Sequence, residues 1–270
     1  MIIEISCSAR NDKTKSFTFL RVHQNERPPT SAMTVILLSG LIFLLAGLIQ
    51  GLTGFGGGLV AIPLLCLIMD VKLAVPLSIL SGLAITTAMA YDLRQAMDWR
   101  KILPLLIGSI PGVFAGTVLL KEADPVVINR LLGVLLVSIS AINLTIKPRP
   151  LNPPVIWGYI AGFFSGTITA SVGAGGPPVI IYTTLTDWKK DEIKATLTGF
   201  FVLNGYITAA VHAWTGMITR TTMTTFAATL CFVLLGTYAG SRIGGRINRR
   251  TYLRIVYLLL MGLGILMLTR

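Results

Sequence analysis

Two glycine-rich clusters contain the residues of this chain whose type and spacing could do chemistry. Positions 54–58 read Gly-Phe-Gly-Gly-Gly, and positions 173–178 read Gly-Ala-Gly-Gly-Pro-Pro, each within a long apolar stretch. Runs of glycine and proline interrupt a helix, because glycine is conformationally free and proline lacks the N–H donor. A break within a membrane leaves backbone polar groups without helical partners, which is tolerated where the break lines a polar cavity. The two clusters are therefore expected to line a binding site.

The chemistry that such breaks favour is the binding of an anion. Short helices are predicted to start after the breaks, near Leu59 and Val179, with their first N–H groups and positive dipole ends directed into the cavity. No aspartate or glutamate lies deep in an apolar segment, so no deep carboxylate would attract a cation or relay a proton. We expect a compact oxyanion, held by dipoles and neutral donors.

Neutral polar side chains near the breaks complete the predicted site. Gln50 and Asn204 carry amides that need partners in a low-dielectric interior, although Asn204 could instead make an interhelical bond. Serine and threonine hydroxyls in membrane helices commonly bond to their own backbone. The predicted substrate-binding residues are Gln50, Thr53, Gly54, Gly56, Gly57, Gly58, Thr169, Ser171, Gly173, Gly175, Gly176 and Asn204.

His212 is the only histidine in the apolar part of the chain. Its position two residues before Trp214 predicts an interfacial ring, and a proton-coupling role is the alternative. Ser171 with His212 as base would be the pair for an intramembrane hydrolase, but nothing in their spacing requires them to meet. We expect no catalytic residues.

No metal site or cofactor is predicted. Cys7, Cys66 and Cys231 are far apart, and no histidine or carboxylate accompanies them at ligand spacing. Their default interpretation is that of small apolar residues.

Composition shows what kind of protein must position these residues. The chain has 270 residues, of which 53% are hydrophobic and 13% charged, and its mean hydropathy is +0.76. Soluble domains carry about 25% charged residues. The net charge of +12 resides in short loops and in the polar N-terminal tail at 1–32, which excludes a nucleic-acid-binding face and favours a polytopic protein embedded in a lipid bilayer.

Eight apolar segments are predicted, and two of them are too long for one crossing. Residues 34–70 would extend about 55 Å as one helix, against a hydrocarbon core of roughly 30 Å. With both long segments broken, about ten helical elements are expected. The segments are 34–70, 73–91, 102–120, 126–146, 155–186, 192–214, 222–241 and 252–269.

The chain also repeats itself. Gly-Val-Phe-Ala-Gly-Thr at 112–117 matches Gly-Thr-Tyr-Ala-Gly-Ser at 236–241, and the spaced glycines of these elements, Gly112, Gly116, Gly236 and Gly240, are predicted to serve helix packing. Two transmembrane repeats follow, at 34–146 and 155–270.

Loop charges predict how the repeats are related. If each long segment turns back as a hairpin, one side carries Arg94, Arg100, Lys101, Lys147, Arg149, Lys189, Lys190, Lys194, Arg242, Arg246, Arg249, Arg250 and Arg254, and the other carries Lys72, Lys121, Arg130, Arg220 and Arg270. Single crossings would distribute the charges almost evenly. The positive-inside rule favours hairpins, and a hairpin plus three crossing helices per repeat makes the two repeats inverted.

Three motifs resemble those of the sulfite exporter TauE/SafE family of bacterial membrane permeases. They are Gly-Leu-Thr-Gly-Phe-Gly-Gly-Gly at 51–58, the second cluster at 173–178, and the Gly-x-x-Ala-Gly-[Ser/Thr] elements at 112–117 and 236–241. The resemblance covers 34–270. It implies export or uptake of small sulfur-containing or organic anions such as sulfite and sulfonates.

The sequence thus predicts an all-α permease of the bacterial inner membrane that moves a small anion by alternating access. A homodimer is possible. A membrane scaffold or assembly subunit without transport remains the alternative function, followed by the hydrolase; a scaffold would not need two broken helices in register.

Overall fold

The computed structural model describes residues 32–54, 56–145, 151–243 and 249–269, which form ten α-helices and one 3-10 turn, without a strand in these ranges. The predicted tail at 1–32, except for residue 32, and parts of the basic loops 147–153 and 241–254 lie outside the described residues. The helices are α1 Ala32–Thr53, α2 Gly57–Leu65, α3 Val71–Leu93, α4 Trp99–Glu122, α5 Pro125–Thr145, α6 Ile156–Val172, α7 Gly176–Thr184, α8 Lys190–Trp214, α9 Arg220–Ile243 and α10 Arg249–Thr269; the 3-10 turn is Arg94–Ala96.

The predicted fold class, an all-α polytopic membrane protein, is confirmed. Six of the predicted apolar segments each become one long helix. The two long segments become a long helix followed by a short one, α1 with α2 and α6 with α7. Helix α8 has 25 residues but begins with several charged side chains. The helices long and apolar enough to cross a membrane are Met33–Leu52, Val71–Ala96, Trp99–Glu122, Pro125–Thr145 and Arg220–Ile243, and shorter apolar helices are Ile156–Val172 and Val256–Thr269.

Both glycine clusters end a long helix and start a nine-residue helix. Gly54 and Gly173 follow α1 and α6 with φ of +86° and +66°, left-handed angles that favour glycine. Each short helix then turns back along its long helix: a Cβ on Gly57 would lie 3.2 Å from the carbonyl oxygen of Ala46, eleven residues earlier. The short helices begin at Gly57 and Gly176, earlier than predicted at Leu59 and Val179, because the glycines themselves form the first turn.

The halves hold each other through two parallel helix pairs, α1 with α9 and α4 with α6. A Cβ on Gly112 or Gly116 would overlap the carbonyl oxygen of Phe163 or Thr167 on α6. The packing role predicted for the spaced glycines is therefore confirmed. The corresponding overlaps in the other pair are Gly236 with Leu44 and Gly240 with Leu48.

Two further pairs join equivalent helices of the halves in antiparallel orientation. Along α5, Gly133 contacts Gly264 and Asn143 accepts a bond from Tyr257, so rising numbers on α5 meet falling numbers on α10. The pair of α3 and α8 behaves in the same way: Leu83 lies beside Gly205, whereas Met89 and Lys194 would each lie 4.0 Å from a Cβ on Gly54.

Candidate functional site

A cavity of about 110 Å³ lies between the two breaks. One water needs about 10–15 Å³ on the same measure, so the cavity has room for a compact polyatomic ion or several waters. The breaks touch each other beside it, since a Cβ on Gly58 would lie 2.6 Å from the carbonyl oxygen of Gly173. Its lining residues are Gln50, Gly56, Gly58, Leu59, Ser78, Ile79, Gly82, Leu83, Thr86, Thr169, Gly173, Ala174, Gly175, Gly176, Phe201, Asn204 and Gly205.

The lining comes from the first three helices of each half. Helices α1, α2 and α3 contribute one side, and α6, α7 and α8 the other, whereas α4, α5, α9 and α10 contribute no lining residue among those described. No described lining residue is charged. Any fixed attraction for an ion must therefore come from backbone dipoles and neutral polar groups.

The first break contributes backbone donors. Gly56 is the N-cap of α2 at φ +93° and has no side chain to cap the helix. Val60 donates to the carbonyl oxygen of Gly56, but the N–H groups of Gly57, Gly58 and Leu59 have no hydrogen-bond partner among the described residues. The beginning of α2 thus brings to the cavity a positive dipole end and N–H groups that have no partner in the described part of the chain.

The second break contributes side-chain groups. Helix α7 begins Gly176-Pro177-Pro178, and the two prolines have no N–H to donate. The amide nitrogen Nδ2 of Asn204 on α8 donates to Oγ1 of Thr169 at 3.2 Å, and that hydroxyl donates to the carbonyl oxygen of Ser165. Asn204 is 1% exposed, and its Oδ1 has no partner among the described residues.

Helix α3 supplies a wall that both breaks face. Ser78, Gly82 and Thr86 lie four residues apart, which places them on one side of the helix. The hydroxyl of Thr86 donates to the carbonyl oxygen of Gly82 at 2.9 Å. A Cβ on Gly82 would meet nothing within 4 Å, so this glycine keeps the cavity wide.

The chain matches the sulfite exporter TauE/SafE family over residues 39–267, which include both breaks and every lining residue of the cavity. The chain belongs to the sulfite exporter TauE/SafE family.

Two relatives of this TauE/SafE chain cover most of its length. A protein of Cupriavidus necator named probable sulfite/organosulfonate exporter TauE is 25% identical over an alignment 243 residues long, which covers 87% of this chain and 92% of the relative. The probable membrane transporter protein YunE of Bacillus subtilis is 21% identical over an alignment 262 residues long, which covers 85% of this chain and 93% of that relative. No solved structure matches significantly.

Eight of the twelve predicted site residues line the cavity of this TauE/SafE member: Gln50, Gly56, Gly58, Thr169, Gly173, Gly175, Gly176 and Asn204. Gly54 does not line the cavity and lies near Lys194, and Gly57 is buried beside Gln50. The Thr53 side chain lies outside the described part of the chain.

The α3 wall was missing from the predicted site. Its residues, Gly82 above all, have the small size and even spacing that many membrane helices use for packing, so composition did not distinguish them. The four-residue spacing of Ser78, Gly82 and Thr86 beside two broken helices was the available signal.

The structure does not join Ser171 and His212 by a hydrogen bond. The hydroxyl of Ser171 donates to the carbonyl oxygen of Thr167 at 2.7 Å, and Nε2 of His212 lies 3.1 Å from the carbonyl oxygen of Ala170. The His212 ring is 0% exposed while Trp214 is 81% exposed, so the histidine faces the protein interior and the tryptophan faces outward. The interfacial depth of His212 stays a prediction. Residues two apart on a helix point about 200° apart, so the tryptophan did not indicate the direction of the histidine.

Proposed function

We propose that this chain is a secondary permease that carries a compact sulfur oxyanion, such as sulfite or a small sulfonate, through the cavity between the two breaks. The observation that carries the proposal is an uncharged cavity lined both by the first turn of α2, whose N–H groups have no partner among the described residues, and by Asn204. Helix N-termini favour anions without a fixed positive charge. The name of the Cupriavidus relative supports the same class of cargo.

Several hydrogen-bond donors around the cavity suit an oxyanion. The oxygens of the anion would accept hydrogen bonds from the N–H groups of Gly57, Gly58 and Leu59 and from the Asn204 amide. The hydroxyls of Ser78 and Thr86 lie nearby. The unpaired Oδ1 of Asn204 would accept a bond from water or from an O–H group on the anion. Neutral donors hold an anion moderately, which suits a carrier that must also release it.

The two repeats are proposed to be inverted, with boundaries at 34–146 and 155–270. The support is the combination of parallel pairs, α1 with α9 and α4 with α6, and antiparallel pairs, α3 with α8 and α5 with α10. Repeats of the same orientation would make the pairs of equivalent helices, α3 with α8 and α5 with α10, parallel. Alternating access would then be rocking of the lining helices within the frame of α4, α5, α9 and α10.

Labelling from one side of the membrane tests the inversion. In a variant without native cysteines, Gln95→Cys follows α3 and Ile218→Cys follows the equivalent helix α8. Inverted repeats predict that an impermeant thiol reagent added outside labels residue 218 and leaves residue 95 shielded. Labelling of both positions from one side would contradict the inversion.

The bilayer in question is proposed to be the inner membrane of a bacterium, since both named relatives are bacterial. A homodimer is proposed as well, because symmetric dimers of identical chains are the commonest oligomers. Crosslinking in native membranes, with monomer recovered at every protein concentration as the contrary result, checks the dimer.

Proteoliposomes test transport and its substrate class together. Vesicles loaded with unlabelled sulfite should take up labelled sulfite faster than protein-free vesicles, and excess methanesulfonate should compete. An organic cation of similar size should not compete. Competition by the cation, with none from any oxyanion, would contradict the proposed substrate class.

A further inference from the structure

A column of polar side chains leads from the cavity along α8. Asn204, Thr208 and His212 are spaced four residues apart, so they lie on one side of the helix over about 12 Å. All three are buried: Asn204 is 1% exposed, and the other two are 0% exposed. Thr208 donates to the carbonyl oxygen of Asn204 at 2.7 Å.

His212 ends this column with a free basic nitrogen. Its Nε2 lies 3.1 Å from the carbonyl oxygen of Ala170, the residue next to Thr169 of the cavity lining. A carbonyl oxygen can only accept, so Nε2 carries the hydrogen and the neutral ring has its lone pair on Nδ1. That Nδ1 is buried without a hydrogen-bond partner among the described residues. Asn204 Oδ1 is likewise buried and unpaired, so such atoms lie at both ends of the column.

Ala170, whose carbonyl oxygen the ring contacts, belongs to an apolar cluster with Val113 of α4 and Val211 of α8. The ring is buried, and its polar contact is the carbonyl oxygen of Ala170. No charged side chain in the described ranges bonds to it. The ionisable residues of the elements packed against α8 lie at or near their ends and are Lys72, Tyr91, Asp92, Arg94, Arg100, Lys101, Lys121, Glu122, Tyr159 and Tyr182.

We propose that Nδ1 of His212 is the proton-binding site that couples anion movement to a proton gradient. The proposal rests on the proposed permease function. Water entering from the cavity past Asn204 and Thr208 delivers the proton to Nδ1, which yields an imidazolium that still donates from Nε2 to Ala170. On release the same proton returns to water. A cation here and an anion in the cavity attract each other, so each raises the affinity for the other, and both travel in the same direction.

A pH gradient across proteoliposomes tests the coupling. Methanesulfonate is the probe, because it stays fully ionised where histidine titrates, and any effect of pH then comes from the protein. The wild-type protein should accumulate labelled methanesulfonate on the alkaline side of an imposed gradient. Without a pH gradient, and with equal concentrations of methanesulfonate on both sides, it should exchange labelled for unlabelled methanesulfonate without net accumulation.

Two substitutions separate proton coupling from a structural role. His212→Gln retains an N–H donor for the Ala170 carbonyl but binds no proton, so it should lose gradient-driven accumulation while still exchanging the probe, at a rate lowered by the loss of the attraction between imidazolium and anion. Thr208→Val should slow the gradient response. Thr229→Val is its matched control, because Thr229 on α9 is also 0% exposed and donates to the carbonyl oxygen four residues earlier.

The outcomes distinguish this proposal from the permease proposal. Wild-type exchange that does not respond to the gradient, accumulation on the acidic side, or an undiminished response in His212→Gln would each overturn the role of His212. Absence of exchange of both sulfite and methanesulfonate by the wild-type protein would instead contradict the proposed function itself.

Discussion

The two glycine breaks occupy equivalent positions but offer different chemistry. Gln50 and Thr169 each stand four residues before a left-handed glycine, Gly54 or Gly173, and a nine-residue helix follows each break. The first short helix keeps all of its early N–H groups. The second loses two of them to Pro177 and Pro178.

The loss of backbone donors in the second half is accompanied by side-chain groups. Asn204 and Thr169 form a hydrogen-bonded pair beside the second break, whereas Gln50 makes no side-chain hydrogen bond among the described residues. One half thus presents mainly backbone and the other mainly side chains. This difference would let the anion bind closer to α2 than to α7.

The largest effect is expected from filling the wall that both breaks face. Gly82→Leu places a side chain in open space, at helical backbone angles that leucine favours, so the protein should fold and insert while transport falls to the protein-free background. Sulfite exchange in proteoliposomes, with monodispersity in detergent as the folding check, measures this. Sulfite exchange by Gly82→Leu at the wild-type rate would mean that the two breaks do not share a transport site beside α3.

Gly262→Leu is the matched control. A Cβ on Gly262 of α10 also meets nothing within 4 Å, and the residue does not line the cavity. Its exchange rate should therefore remain that of the wild type.

The next effect tests the side-chain donor of the second half. Asn204→Leu removes an amide of nearly the same size, and a hydrogen bond to a charged group contributes about 1.5–3 kcal/mol, so sulfite affinity should fall roughly tenfold to hundredfold. Asn143→Leu is the control, since Asn143 joins α5 to Tyr257 of α10 away from the cavity. Equal losses of affinity in both variants would reduce Asn204 to a packing residue.

The sequence allowed the breaks and the helices around them to be predicted because their signals are local. Two glycine clusters within apolar runs such as 34–70 predict where helices must stop. The distribution of basic residues among the loops predicts that each long segment turns back as a hairpin. The start of α2 at Gly57 was missed because hydropathy marks apolar residues and not the first turn. Gly82 and the burial of His212 depend on which helices meet, which a single sequence does not state.

The backbone donors of the first half give a smaller, separable effect. Leu59→Pro removes the third N–H of α2, at a first-turn position where proline is tolerated. Leu59→Ala is the control, because it removes the same buried apolar group and keeps the N–H. Sulfite binding, followed by thermal stabilisation, should be about tenfold weaker in the proline variant than in the alanine variant. Equal affinities would mean that this N–H does not face the anion.

The smallest expected effect is a gain. Pro178→Ala restores in α7 the N–H that Leu59 has in α2, and so makes the second break resemble the first. A typical net hydrogen bond contributes about 0.5–1.5 kcal/mol, so sulfite affinity should rise by about twofold to tenfold. Pro125→Ala restores an N–H at the start of α5, outside the cavity lining, and should leave affinity unchanged. If Pro178→Ala also left sulfite affinity unchanged while Leu59→Pro lowered it, the anion would lie on the α2 side alone. Backbone N–H groups of the first break would then bind the anion, and those of the second would not.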